Sequence, residues 1–191
     1  MWPWGHAAVG YLLYSCLSRL RYRQPPIAIA TLALAVGTQF PDLIDKPLAW
    51  ELGLLASGRG GAHSLLVAAP VLGVLWWAQD SPTGRLAWGG FAVGYLSHLA
   101  ADGVHAALQA NFQDLGYLLW PVTALPDYSE SPSILAHFAT LDLTPRIYAE
   151  LGLFALATLL WLVDGYPGVR LLTRWAKEHI GTAKSVMSKQ Q

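Results

Sequence analysis

The sequence is short of charge and of cysteine. Only 13% of its 191 residues are Asp, Glu, Lys or Arg, too few to cover the surface of an ordinary soluble domain. Twelve basic residues balance twelve acidic ones, which excludes the cationic field of a nucleic-acid-binding protein. The lone Cys16 has no partner for an internal disulfide, so cysteine usage does not identify the compartment. The N-terminus lacks the basic segment and small-residue cleavage site of a secretory signal, and its first helix is expected to be retained. No repeat of 20 to 50 residues is present, and no low-complexity tract apart from a polar C-terminal tail. Also missing is an uninterrupted apolar stretch of the ~20 residues that cross a bilayer most simply.

What the chain does have is 54% hydrophobic residues, nine of them Trp, gathered into five apolar runs. The first follows Trp2-Pro3-Trp4 and Gly5-His6 and reaches about Leu20; the second is Ile27 to Phe40, where Pro41 is expected to stop it. A short helix is expected at Leu48 to Leu55. The third run is Leu65 to Ala78, the fourth Leu86 to about Ala107 and the fifth Ile147 to Val163. Residues 108–146, with four prolines and the apolar patch Leu115 to Val122, read as one long ordered loop. The runs are apolar all round, and Trp and Tyr gather at their ends, as in a membrane. A soluble, fully buried bundle is the alternative. The fold expected is all-α: a polytopic membrane bundle of about five helices spanning residues 1–168, followed by a basic cytoplasmic tail, residues 169–191.

If the runs alternate across a bilayer, one side carries Arg19, Arg21, Arg23, Arg85, Arg170, Arg174, Lys177, Lys184 and Lys189, and the other only Lys46, Arg59 and Arg146. This asymmetry is expected to set the N-terminus outside and the C-terminus in the cytoplasm. The same alternation brings certain polar residues to one face. His6 opens the first helix, Asp42 and Asp45 close the second, His63 opens the third, and His98, Asp102 and His105 lie along the end of the fourth. On a helix, His98, Asp102 and His105 project from one side. Imidazoles and carboxylates gathered at one membrane face make a ligand set for a divalent metal, zinc first and manganese or iron next. Each also has a plainer role: His6 as an interfacial histidine, the aspartates as caps, Ser64 as the cap of the third helix and Arg59 as an ion-pair partner. His137 and His179 have no evident partners.

Gly5-His6, Pro41-Asp42-Leu43-Ile44-Asp45, Arg59-Gly60-Gly61-Ala62-His63-Ser64, Gly94-Tyr95-Leu96-Ser97-His98 with Asp102, and Leu118-Leu119-Trp120-Pro121 occur in this order. Together they resemble the motifs of the YdjM-like family of inner-membrane-associated metal-dependent hydrolases. That resemblance implies a remote likeness to zinc-dependent phospholipases C and S1/P1 nucleases. The family name also carries an association with the LexA repressor, which no feature of this chain supports. The sequence departs from the pattern in having Gly58 where a histidine is usual, two residues between its aspartates in place of one, and His105 where threonine is common. His105 is expected to supply the imidazole missing at position 58.

Together these readings imply a membrane-bound hydrolase with His6, Asp42, Asp45, His63, His98, Asp102 and His105 as metal ligands. Asp45 or Asp102 would be the general base, and Arg59 would stabilise charge on a phosphoryl oxygen. The expected substrate is a phosphoester, lipid-like because the site lies at the membrane surface, and membrane lipids are the expected partners. Two other classes fit the residues: a non-enzymatic scaffold with a closed structural metal site, and a metal or proton transporter. Transport calls for polar residues deep in the helices, where the sequence offers few beyond Thr38, Gln39 and Glu150.

Overall fold

The computed structural model describes residues 1–125 and 133–177, and no β-strand occurs among them. The α-helices follow in order, α1 Pro3–Tyr22, α2 Ala28–Lys46, α3 Leu65–Trp77, α4 Pro82–Leu108, a short α5 Ile134–Ala139 and α6 Pro145–Val163, and residues 169–177 are again helical. Local chemistry sets several of their ends. Pro82 and Pro145 occupy the first turns of α4 and α6, where the missing N–H costs nothing. The hydroxyls before them, Ser81 and Thr144, accept from Gly84 N–H and Ile147 N–H. Ser64 caps α3 by accepting from Leu66 N–H.

The most intimate contact, α2 against α4, is made by glycine. A Cβ on Gly90 would strike the Ala30 carbonyl, one on Gly94 the Leu34 carbonyl, and one on Gly37 the Phe91 carbonyl. Only bare backbone allows the two helices to approach so closely, the small-residue packing by which helices associate in lipid. On the other side α1 packs against α6 through Tyr11, Ala8 and Ala157, with Leu34 of α2 beneath.

Two expectations about segments need correcting. Helix α2 does not stop at Phe40 but continues through Pro41 to Lys46 and passes into a wide, π-type turn, Pro47–Glu51, where an α-helical Leu48 to Leu55 was expected. Pro41 deletes one bond, to the Gly37 carbonyl, and the turn beyond it is held both within the helix and from outside. Lys46 Nζ donates to Asp42 Oδ2 at 2.7 Å, and Asp45 is fastened to the loop before α3. Within the expected long loop, Phe112–Leu119 form a 3₁₀ helix and α5 a second short helix. By length and hydropathy, one helix among the described residues qualifies to span a membrane: Pro145–Val163. Leu65–Trp77 is apolar but shorter. The tail beyond residue 177, with Lys184, Lys189 and His179, lies outside the described residues.

Candidate metal centre

The C-terminal ends of α2 and α4, the start of α1 and the loop before α3 meet at one end of the bundle. There the structure brings together His6, Asp42, Asp45, His63, His98 and Asp102. The rings of His6, His63 and His98 are buried, and the carboxylates of Asp45 and Asp102 are 0% and 4% exposed.

The loop carrying His63 is shaped by one glycine. Gly61 has φ +68°, a conformation that strains other residues, and a Cβ there would stand 2.8 Å from Asp45 Oδ1. The turn aims two backbone donors at Asp45: Ala62 N–H to Oδ1 at 2.8 Å and His63 N–H to Oδ2 at 3.1 Å. His63 Nδ1–H donates to the same Oδ2 at 2.8 Å. Asp45 is thereby committed to orienting His63, and it belongs to neither group of side chains able to surround an ion. On α4, His98 Nδ1–H donates to the Thr38 carbonyl at 2.7 Å. Each imidazole is therefore fixed in the tautomer that leaves Nε2 as an acceptor.

The two Nε2 atoms face each other at 3.1 Å. Asp42 Oδ1 lies 3.5 Å from His63 Nε2 and 3.8 Å from His98 Nε2; Asp102 Oδ2 lies 3.7 Å and 4.0 Å from the same atoms. Ligands bound tetrahedrally to zinc at ~2.0–2.1 Å stand about 3.4 Å apart, close to this spacing. A second set overlaps the first: His6 stacks on His98 with ring centroids 3.7 Å apart, and its Nε2 lies 3.3 Å from Asp102 Oδ1. Neither His6 nitrogen forms a hydrogen bond. These buried side chains form two groups that could hold a metal ion, His6 with His98 and Asp102, and Asp42 with His63 and His98. Burial alone would lower the pKa of His63, but the hydrogen bonds and charges of Asp42 and Asp45 outweigh it and raise it, so the carboxylates favour a positive charge at this imidazole, which a bound metal ion would supply in place of a proton.

Cations line the approach. Arg59 Nε sits 3.2 Å from Asp102 Oδ2, and the Met1 ammonium donates to Asp102 Oδ1 at 2.7 Å. Arg59, Asp102, Lys46, Arg146, Trp2 and His137 share the wall of a cavity of about 420 Å³.

His105 is not among the converging side chains. It stands two turns beyond His98, exposed on α4. The position expected to need it, Gly58, faces the Trp50 indole, with room for a Cβ only 3.1 Å from Nε1. Sequence reasoning did not find the Thr38 carbonyl, the orienting role of Asp45, or His137, which stacks on Trp2 at 4.8 Å. The first is a backbone acceptor, which no side chain announces. Trp120-Pro121 also has a place: the Trp120 carbonyl accepts from Ser64 Oγ at 2.6 Å, and Tyr117 Oη donates to the Leu99 carbonyl at 2.8 Å, tying this segment to α3 and α4.

A family model described as YdjM inner membrane protein matches residues 1–171. The chain belongs to the YdjM inner membrane protein family. The match covers all the residues of the candidate metal centre and helices α1 to α6. No curated protein and no solved structure matches the chain. None of these comparisons shows the remote likeness to phospholipases C and S1/P1 nucleases that the family resemblance implied.

Proposed function

We propose that this YdjM family member is a membrane-bound, metal-dependent hydrolase of phosphoesters. The observation that carries the reading is the pair of Nε2 lone pairs facing each other at 3.1 Å, with two carboxylate oxygens around them. Such a set repels itself unless a cation lies between, and each imidazole is oriented from behind by an acceptor, the usual support of a metal-ligating histidine. Two buried His6 nitrogens without hydrogen bonds add to the fit.

His63, His98, Asp42 and Asp102 would hold the ion, zinc by donor type, with His6 and the second oxygen of Asp102 extending the set. A divalent ion there supplies Lewis acidity and water activated near neutral pH. The chain's own residues do the rest. Arg59 beside Asp102 binds the anionic group of the substrate and offsets charge that develops on it. Asp45 is a positioning residue for His63, which leaves Asp102, at the cavity wall, as the carboxylate that would orient water beside the ion. The 420 Å³ cavity reaching Asp102 favours this open arrangement over a closed structural site. The remaining elements complete a polytopic bundle, its N-terminus and metal centre outside and its basic C-terminal segment cytoplasmic.

The test is turnover. Detergent-purified protein loaded with zinc or manganese is expected to release product from a phosphodiester or phospholipid panel. Chelation and Asp102→Asn should each abolish that release, and Arg59→Ala should reduce it 10-fold or more. A stoichiometrically loaded protein inert toward every phosphoester would overturn the hydrolase reading in favour of a structural metal.

A further inference from the structure

A second, separate cavity lies in the groove between α1 and α6, floored by α2. It measures about 330 Å³ and is walled almost wholly by apolar groups, among them Ala8, Leu34, Ala35, Phe154, Ala157 and Trp161. The polar cavity takes in Trp2 at the start of α1 and Ile147 on α6. Ile147 and Phe154 are seven residues apart and Trp2 and Ala8 six, so along both helices the apolar cavity begins about 10 Å beyond the polar one. The two lie in file on one path along α1 and α6, cationic at the bundle end and apolar below, with the buried Glu150, which accepts from Trp2 N–H, between them.

We infer that this path seats one anionic membrane lipid, its head group beside Arg59 and Arg146 and an acyl chain in the α1–α6 groove. The inference rests on the metal reading for its charge preference. Arg59 and Lys46 already face Asp102 and Asp42, and Arg146 faces Glu150, so a divalent ion beneath them is what tips the cavity toward anions. The groove's occupant follows from its surroundings. α6 is the helix qualified to span the membrane, and Leu156, Leu159 and Leu162 leave its outer face apolar and exposed. A groove opening beside such a face in an inner-membrane protein meets acyl chains, and at 330 Å³ it is too small for a helix about 10 Å across. The paired features, cations at the end and small residues along the floor, match the two ends of one amphiphile.

Native mass spectrometry of the zinc-loaded, detergent-purified full chain tests this with three probes: dioleoylphosphatidylglycerol, dioleoylphosphatidylcholine and dihexanoylphosphatidylglycerol. Dioleoylphosphatidylglycerol is expected to bind at least 10-fold more tightly than either of the others. Filling the groove by Ala35→Leu at its exposed rim, or by Ala157→Phe at its floor, should weaken it 10-fold without changing zinc content. Arg146→Gln should cut the preference over phosphatidylcholine at least 5-fold. Equal binding of the long- and short-chain lipids, or binding indifferent to Ala35→Leu in folded, zinc-loaded protein, would overturn the inference. Zinc missing from the wild type would instead overturn the metal reading and the charge preference that rests on it, and Ala35→Leu alone would then judge the groove.

Discussion

Two polar clusters tie α1 to the rest of the bundle, and they are built on opposite principles. Toward the far end of α1, the Asp164 carboxylate receives Arg19, Tyr11 Oη at 2.7 Å and Ser15 Oγ at 3.0 Å. Every donor there meets an acceptor and the charges cancel. At the other end, His63 and His98 turn acceptors toward each other, carboxylate oxygens surround them, and His6 has no hydrogen bond at all. A complete cluster is a structural clasp; an incomplete one, more deeply buried, carries free-energy cost that a bound cation relieves. Completeness of hydrogen bonding, more than residue type, distinguishes a fastening from a site.

The comparison can be broken most forcefully at the incomplete cluster. The double substitution His63→Ala/His98→Ala is expected to reduce metal affinity by more than 100-fold, read by elemental analysis after dialysis against a weak chelator. The protein should keep its helical circular dichroism. Asp45→Asn comes next: it withdraws the acceptor that fixes the His63 tautomer, and a loss of 10- to 100-fold in metal affinity is expected. An unchanged affinity would mean that Asp45 does no more than hold the loop.

At the complete cluster the effect should move to stability and leave the metal alone. Arg19 is 40% exposed and solvent screens its charge, so Asp164→Asn is expected to cost only about 1–2 kcal/mol, read as a lower Tm at unchanged metal content. Burial opposes the charge on Asp164, but Arg19, Tyr11 and Ser15 outweigh it and hold its carboxyl below the usual range. Its contribution is therefore fully present above the ordinary carboxylate range and is lost as pH falls through that lowered value. Asp164→Asn should remove this part of the acid limb of the melting profile. The smallest effect belongs to His105→Ala, expected to change metal affinity less than 2-fold; a larger loss would restore the role first expected of that residue.

Much of the site was legible because it depends on counting. Helices that alternate in direction send His6, Asp42, His63, His98 and Asp102 to one end, whatever their packing, and sequence order alone reveals that. Side-chain reach is a different matter. The pattern cannot say that Gly61 would turn two N–H groups onto Asp45 and convert an apparent ligand into an orienting group. Nor could a seven-residue spacing show that His105 overshoots the cluster, since sharing a helical face does not confer the same height along the axis. Pro41 misled for a similar reason: its local preference for a helix end was overridden by contacts from distant residues that hold the turn after it.

The central claim is that the His/Asp end of the bundle holds a divalent metal ion. It is tested most directly by elemental analysis of detergent-purified wild-type protein beside the His98→Ala/Asp102→Ala variant. At least one zinc or manganese per chain in the wild type, absent from a folded variant, is the predicted result. A well-folded wild type that takes up no metal even when supplied with it would contradict the account.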